Sequence, residues 1–207
     1  MAKQAMVSAP APPVPFEEEA LVTQARAGDM AAFARLAGRY QDRVLNTCWR
    51  VCGRLEDAED LAQETFLHAM EAIGSFHGRS RFFTWLYRIA VNLAIGHRRK
   101  QARSVRLSLH GRDGQWLGDQ AAGLVGRVSS EPQDPAGRLS AHETRQRLEQ
   151  GLQKLDDDHR SIVVLRDIEG LDYEQIAEVL EIPAGTVKSR LHRARMELRR
   201  YMKPLTE

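Results

Sequence analysis

The chain has 207 residues, of which 43% are hydrophobic and 28% charged, and this length is enough for one mid-sized globular domain or two small ones. Its formal net charge is +2. It contains no apolar run of about 18 residues, so no membrane-spanning helix is predicted, and its first residues lack the apolar core of a secretory signal. Since Cys48 and Cys52 are the only cysteines, no disulfide framework is predicted and we expect a cytoplasmic protein.

Residues 1–16 are rich in Ala and Pro, and this composition predicts a disordered lead-in. Beyond it, apolar side chains recur three or four positions apart, which is the spacing of amphipathic helices. Asp29, a favourable N-cap residue, precedes the first of these apolar stripes. The three stripes cover Phe33–Cys48, Leu61–Ile73 and Phe82–Leu93. Because no window alternates with a period of two, an all-α fold is predicted.

The helical spacing fails between residues 101 and 138, where Gly, Ser, Asp and Pro accumulate. A structureless segment of this length is unusual inside one compact domain. We therefore predict a flexible linker over 101–138. It would join two small helical domains, a helical bundle at 17–100 and a second domain at 139–203.

Within the second domain, residues 172–200 have the pattern of a helix-turn-helix. Asp172 and Gln175 fit a capping box at the start of its first helix. Pro183 suits the first turn of its second helix, because that turn needs no backbone donor there. The apolar stripe of the second helix comprises Val187, Leu191 and Ala194. Its basic side chains project from other faces, as in a helix that enters the major groove, and an ordinary basic helical hairpin is the alternative.

Positive charge is concentrated in two blocks, although the chain is almost neutral overall. Residues 183–203 carry seven Lys or Arg against one acidic residue, and residues 79–106 carry eight with none. Since the rest of the chain is acidic, this asymmetry predicts two separate contacts with a polyanion. For either block taken alone, a solvated charged helix is the alternative.

A cluster of aromatic residues accompanies the first basic block. Its rings belong to Phe76, Phe82, Phe83, Trp85 and Tyr87. Aromatic faces stack on unpaired bases while basic side chains follow the strand, which suits single-stranded or melted DNA. We expect Phe82 and part of Trp85 in the core, but not all five rings, because they do not share one helical face.

With these motifs the chain resembles the extracytoplasmic-function (group 4) sigma factors, the smallest members of the bacterial sigma-70 superfamily. The stretches that carry the resemblance are DAEDLAQETFLHAM (57–70), FFTWLYRIAVNLA (82–94) and LRDIEGLDYEQIAEVLEIPAGTVKSRLHRAR (165–195). GDMAAFARLAGRYQDRV (28–44) fits the opening helices of the family. The resemblance runs from about Glu17 to Tyr201, with the linker as a gap.

The resemblance implies an alternative-type sigma factor that directs core RNA polymerase to specific promoters and helps to melt the minus-ten element. It implies a sigma-2 domain at 17–100 and a sigma-4 domain at 139–203. The implied contacts to core polymerase are Asp60, Gln63, Glu64 and Phe66. Those to the minus-ten element are Phe76, Arg79, Ser80, Trp85, Tyr87, Arg88 and Asn92. Those to the minus-thirty-five element are Thr186, Lys188, Ser189, Arg190, His192, Arg193 and Arg195.

The implied partners are promoter DNA, the beta-prime clamp and beta flap of core polymerase, and an anti-sigma factor. No cofactor, metal or membrane insertion is implied. The chain departs from the common family pattern at Phe83, where many relatives are basic, and at Glu181, which replaces a turn glycine. The resemblance implies that Phe76, the loop HGRS after it and Asn92 form a pocket for a flipped base of the minus-ten element. Arg79 and Arg81 make this loop unusually basic, so the promoter sequence stays open.

Two other functional classes account for less of the sequence. A regulator built on a helix-turn-helix alone leaves the first basic block unexplained. A nucleic-acid-processing enzyme needs carboxylates together with Lys or His partners, and the acidic stretch LEDAEDLAQE has none beside it, so we predict no enzymatic activity. Cys48 and Cys52 cannot complete a tetrahedral zinc site by themselves, and we predict that they are buried thiols.

Overall fold

The computed structural model describes the backbone of residues 15–108 and 135–202, and the side chains of 17–104 and 144–202. Within these ranges the regular structure is helical and no strand occurs, as the apolar spacing predicts. The α-helices of the described chain are α1 (Pro15–Arg26), α2 (Met30–Cys52), α3 (Leu55–Ala72), α4 (Phe82–Ser108), α5 (Pro135–Lys154), α6 (Asp157–Val163), α7 (Tyr173–Leu180) and α8 (Ala184–Met202). A 3₁₀ turn, Ile73–Ser75, follows α3, and a π-helical segment, Val164–Ile168, continues α6. None of the described helices is long and apolar enough to cross a membrane.

Helices α1 to α4 form the first bundle, and its core consists of the apolar stripes seen in the sequence. Leu36 and Val44 of α2 are fully buried in it. The side chain of Asp29 caps α2, accepting a hydrogen bond from the backbone N–H of Ala31 at 2.9 Å. Gly53 ends the helix with a φ of 90°, a left-handed conformation that glycine adopts without steric cost. The predicted start and buried face of α2 are thus confirmed.

Helices α5 to α8 form the second bundle, in which α7 and α8 are the predicted helix-turn-helix. The capping box is present: Asp172 Oδ1 accepts from the N–H of Gln175 at 2.8 Å, and Gln175 Oε1 accepts from the N–H of Asp172 at 2.9 Å. Glu181 lies in the turn between the two helices with a φ of 53°, where an L side chain is strained. Val187 and Leu191 bury the apolar face of α8 in the second core.

The long helix α4 connects the two bundles. It packs on α2 and α3 on one side and on α7 on the other. Tyr87 and Val91 of α4 are buried in the core of the second bundle, and Phe83 and Ile95 contact both cores. A single helix therefore contributes side chains to two hydrophobic cores.

Both ends of the segment predicted as a linker, 101–138, are helical, since α4 continues to Ser108 and α5 begins at Pro135. A helix can extend past its apolar stripe where helix propensity is good, and Lys, Gln, Ala and Arg follow one another at 100–103. The centre of the predicted linker, 109–134, lies outside the described residues. So does the predicted lead-in at 1–16, except for its last two positions, which begin α1.

Candidate nucleic-acid interface

Helix α8 presents one apolar face and a broad polar face. The apolar face consists of the buried residues Val187, Leu191, Ala194 and Leu198. On the polar side, Lys188, Ser189, His192 and Arg193 are exposed and Thr186 is half-buried. The Ser189 hydroxyl donates to the carbonyl of Thr186 at 3.1 Å. Because positions i, i+1, i+4 and i+5 lie side by side on a helix, the structure brings four of the predicted minus-thirty-five residues together on one exposed surface.

The other two predicted side chains of α8 form ion pairs within the second bundle. Arg190 Nη1 lies 3.0 Å from Asp158 Oδ2, and Arg195 Nε lies 3.0 Å from Asp167 Oδ2. The hydrogen bond to Asp167 raises the pKa of the Arg195 guanidinium above its usual value. Arg190 is half-buried beside Asp158, whereas Arg195 stays exposed beside Asp167.

A cleft of about 390 Å³ opens between the 3₁₀ turn and the start of α4. Phe76 and Trp85 form its aromatic wall, with ring centroids 5.1 Å apart. Arg79, Ser80 and Arg88 also line it. Five of the seven residues predicted to contact the minus-ten element therefore meet at one cleft, which combines ring faces with two guanidinium groups.

The remaining two predicted minus-ten residues lie away from that cleft. Tyr87 is 1% exposed, and its hydroxyl donates to Glu169 Oε2 at 2.6 Å. Burial, together with the negative charge of Glu169, raises the pKa of Tyr87. Asn92 lines a second, smaller cavity with Leu180 and Arg190. In this arrangement both residues face the second bundle.

More of the five aromatic rings are buried than Phe82 and part of Trp85, the two expected in the core. Four of the rings are buried and that of Phe83 is half-buried. Rings on different faces of α4 are buried together because this helix is covered on two sides, by α2 and α3 and by α7. Phe82 and Trp85 face the first core, and Tyr87 faces the second.

The acidic residues of α3 form a solvent-facing surface. Asp60, Gln63 and Glu64 are exposed, and Phe66 is half-buried against the first core. Leu67, on the same side of the helix, is 56% exposed. We call Asp60, Gln63, Glu64, Phe66 and Leu67 the α3 surface. It joins an exposed apolar side chain to a polar rim, a composition found in protein interfaces.

Both cysteines are buried in the first core, as predicted. Burial raises the pKa of the Cys48 thiol to about 12 and also raises that of Cys52, so neither is a reactive thiolate. One group of potential metal ligands occurs in the described part of the chain, Asp156, His159 and Glu197. Both carboxylates lie within hydrogen-bond distance of His159 Nδ1, at 3.2 Å for Asp156 and 2.8 Å for Glu197, and these contacts account for the cluster.

Two buried charged residues had no recognisable signal in the sequence. The Arg160 side chain is fully buried and donates to four carbonyl oxygens, those of Val51, Leu152, Gln153 and Leu155. The Glu169 side chain is 5% exposed and accepts from residues of α2 and α4. A sequence pattern cannot mark such residues, because the partners across the bundles are distant along the chain: Val51 lies 109 positions from Arg160, and the donors to Glu169 lie 82 to 126 positions away.

Two family models match the chain, Sigma-70 region 2 over residues 36–104 and Sigma-70, region 4 over residues 145–198. The chain is 35% identical over 184 residues to the ECF RNA polymerase sigma factor SigW of Bacillus subtilis, covering 89% of this chain and 96% of that protein. It is 36% identical over 191 residues to the RNA polymerase sigma-H factor of Pseudomonas aeruginosa, covering 91% and 95%. Among solved structures it is similar to CnrH in complex with the cytosolic domain of CnrY. That match has a TM-score of 0.61, 25% identity, and coverage of 89% of this chain and 96% of CnrH.

Proposed function

Because the chain belongs to the extracytoplasmic-function sigma factors of the sigma-70 family, we propose that it binds core RNA polymerase, directs it to specific promoters and helps to melt the minus-ten element. It works in the cytoplasm with the polymerase and has no enzymatic activity of its own. The observation that carries the proposal is the presence of three distinct surfaces on one chain. These are the exposed basic surface of α8, the aromatic and basic cleft at the start of α4, and the α3 surface.

The exposed surface of α8 reads the minus-thirty-five element. Lys188 and Arg193 can address guanine O6 and N7 in the major groove, and Ser189 and His192 stand beside them. Arg199, also exposed, comes later on the helix, where it meets phosphates. The helix thus divides into a base-reading part and a phosphate-binding part.

The cleft between the 3₁₀ turn and α4, here called the minus-ten cleft, receives an unpaired base of the melted strand. Its volume of about 390 Å³ falls in the usual range of small-molecule pockets, about 300–1,000 Å³. Phe76 and Trp85 offer apolar ring surface to the base, while Arg79 and Arg88 attract the backbone. Extruding a base costs a few kcal/mol of stacking, which contacts of this kind offset.

The α3 surface docks on core polymerase. Charge reversal in the double variant Asp60→Lys and Glu64→Lys should lower the affinity for core enzyme at least about 10-fold, because it puts like charges where the proposed contact needs opposite ones. Both side chains are exposed, so the substitutions should leave the fold intact. The matched control reverses Glu19 and Asp42, exposed acids on α1 and α2, and changes the net charge equally. Equal binding by the two double variants would remove the assigned docking surface.

A third proposed partner of this chain, beside core polymerase and promoter DNA, is a protein inhibitor. CnrH, a structural relative, was solved with the cytosolic domain of CnrY bound to it. We infer that this chain also binds a protein partner, and the family resemblance implies that this partner is an anti-sigma factor. Co-purification of the tagged chain from its own host, with mass spectrometry of the bound proteins, would identify it.

Transcription in vitro tests the proposed function as a whole. Core polymerase of the same host is mixed with fragmented genomic DNA, with and without the protein, and the 5′ ends of the transcripts are sequenced. The proposal expects new start sites preceded by a shared pair of sequence elements. A helix-turn-helix regulator without sigma activity would instead leave the start sites of core enzyme unchanged, and that result would contradict the proposal.

A further inference from the structure

Thr84, in the first turn of α4, has a buried hydroxyl group that the fold does not use. Its side chain belongs to a residue that is 1% exposed, and Thr84 Oγ1 has no hydrogen-bond partner among the described residues. Buried hydroxyl groups in proteins are nearly always paired, because an unpaired one loses its hydrogen bonds to water and gains none in return. The unused hydroxyl of Thr84 therefore calls for an explanation.

The position of Thr84 in its helix explains why the backbone does not pair this hydroxyl. A threonine inside a helix often donates to the carbonyl four residues earlier. Thr65 of α3 does so, since its Oγ1 lies 2.7 Å from the carbonyl oxygen of Leu61. Helix α4 begins only at Phe82, so the residue four positions before Thr84, Ser80, lies in the loop before the helix. Thr84 thus lacks the partner that Thr65 has.

Thr84 lines the minus-ten cleft, together with Phe76 and Trp85 of its aromatic wall. Other polar side chains of the same wall are exposed or have a partner within the protein. Ser75, for example, is exposed, and its hydroxyl donates to the carbonyl of Ala72 at 2.8 Å. Among the described residues that line the cleft, Thr84 is the one whose polar side-chain atom is both buried and unpaired.

An extruded base has the chemistry to pair this hydroxyl. Flipped bases are read through the donors and acceptors of their edges, and a hydroxyl can either donate or accept. A base with a polar group opposite Thr84 gains a hydrogen bond. A base with a C–H or methyl group there leaves the hydroxyl unpaired in a closed environment. A site of this kind discriminates well, because the wrong ligand leaves a buried polar group without a partner.

We propose that Thr84 is a specificity-determining residue of the minus-ten cleft: its hydroxyl, unpaired in the free protein, hydrogen-bonds to the polar edge of the extruded base. This inference rests on the proposed sigma function. Phe76 and Trp85 offer ring surface to any base, since every base has an aromatic face, and they contribute affinity with little selection. Thr84 adds selection at one position of the minus-ten element.

Two substitutions of Thr84 separate base selection from stability. Thr84→Val keeps the shape of the side chain and removes the unpaired hydroxyl, so the free chain should be at least as stable as the wild type. Thr84→Ser keeps the hydroxyl and loses a buried methyl group, so it should be less stable. Thr65→Val is the matched control, because it deletes a paired hydroxyl from another fully buried threonine of the same bundle and should lower the stability. Urea midpoints of the full-length chains, followed by circular dichroism, measure these differences.

Base selection is measured on one promoter found by the genomic transcription assay described above. Its minus-ten element is randomised, each template carries a barcode in its transcribed region, and the barcodes are counted after transcription by each holoenzyme. We expect the wild type, Thr84→Ser and Thr65→Val to share one profile of base preference. Thr84→Val should lose about 10-fold of discrimination at a single position, the effect of one hydrogen bond, and keep its preferences at the others.

A threonine with a purely structural role gives a different set of results. Its base preference would be the same in Thr84→Val and the wild type, and that outcome would overturn the proposal. So would a urea midpoint of Thr84→Val below that of the wild type, because the hydroxyl would then be paired in the free chain. If the wild type and core polymerase transcribe no template, the proposed function fails and the assignment of Thr84 fails with it. Selective transcription by the wild type, with an unchanged profile for Thr84→Val, refutes the assignment of Thr84 alone.

Discussion

Replacement of Arg160 by methionine should destabilise the protein more than any exposed substitution. The guanidinium is fully buried, and its four carbonyl partners gather at the end of α5 and at the end of α2. Leu152 and Gln153 lie in the last turn of α5, where helix carbonyls have no partner within the helix. Arg160 supplies their donors, with distances of 2.7 Å to the Leu152 oxygen and 3.0 Å to that of Gln153.

The expected loss in the free energy of unfolding for Arg160→Met follows from two opposing effects. A buried carbonyl that loses its donor costs about 1–3 kcal/mol, and Arg160→Met leaves four of them. The carbonyl of Leu152 keeps one partner, the backbone N–H of Leu155 at 3.2 Å, so its loss is the smallest of the four. Against these losses, the variant no longer buries a cation; burial lowers the pKa of Arg160 to about 10, which still leaves it charged at neutral pH. Removing one partner from a buried charged network typically costs about 3–5 kcal/mol, and we expect a loss in this range.

The free energy of unfolding is measured by urea denaturation, followed by both circular dichroism and tryptophan fluorescence. Arg160→Lys should fall between the wild type and Arg160→Met, because one ammonium group cannot reach all four oxygens. Arg81→Met, at an exposed position, is the matched control and should change stability by less than about 0.5 kcal/mol. A loss below about 1 kcal/mol for Arg160→Met would refute the assignment of the guanidinium as the cap of α5.

Three further predictions concern α8, the turn before it and the first core. In a selection from randomised minus-thirty-five sequences, holoenzymes with Lys188→Ala or Arg193→Ala should prefer altered sequences, since each variant loses a base contact of about 1–3 kcal/mol. Arg199→Ala should instead weaken binding to all sequences alike. Unchanged sequence preferences for Lys188→Ala and Arg193→Ala would mean that the helix docks on DNA differently. Glu181→Gly should raise the melting temperature in differential scanning calorimetry, because glycine removes about 1 kcal/mol of strain at a φ of 53°, and a lower value would contradict the strain argument. Since the pKa of Cys48 is raised from 9.0 to about 12, its contribution to stability is present below pH 9 and is lost as the pH rises toward 12. Cys48→Ala should therefore show a smaller fall in the free energy of unfolding between pH 9 and pH 11 than the wild type, and an equal fall would argue against a protected thiol.

The features that sequence reasoning predicted correctly are those whose causes lie within a few residues. The N-cap at Asp29 and the capping box at Asp172 depend on partners two or three positions away. The buried face of α8 follows from a spacing of three and four residues. The exposure of Lys188, Ser189, His192 and Arg193 could be predicted, because these residues lie on the faces of α8 outside that apolar stripe.

The tertiary structure decided which of the candidate residues are exposed and which contact other parts of the protein. Tyr87 fits a pattern of aromatic residues suited to DNA, yet it donates to a carboxylate 82 positions away and is buried. Arg190 and Arg195 belong to a basic helix, yet each pairs with an aspartate that no local pattern connects to it. Phe83 and its neighbours on α4 are covered from two sides because a second bundle packs there.

The sequence by itself determined the all-α class, the helix-turn-helix and the family to which the chain belongs, because helix periodicity, capping and charge are properties of short segments. Only the tertiary structure placed Glu169 opposite Arg43, which lies 126 positions away, and the Arg160 guanidinium against the end of α2. Contacts of this kind form only where the two bundles pack. In each of them a polar group gives up hydrogen bonds to water and gains a buried partner in the protein. That exchange is favourable only in the assembled fold, and no pattern along the chain encodes it locally.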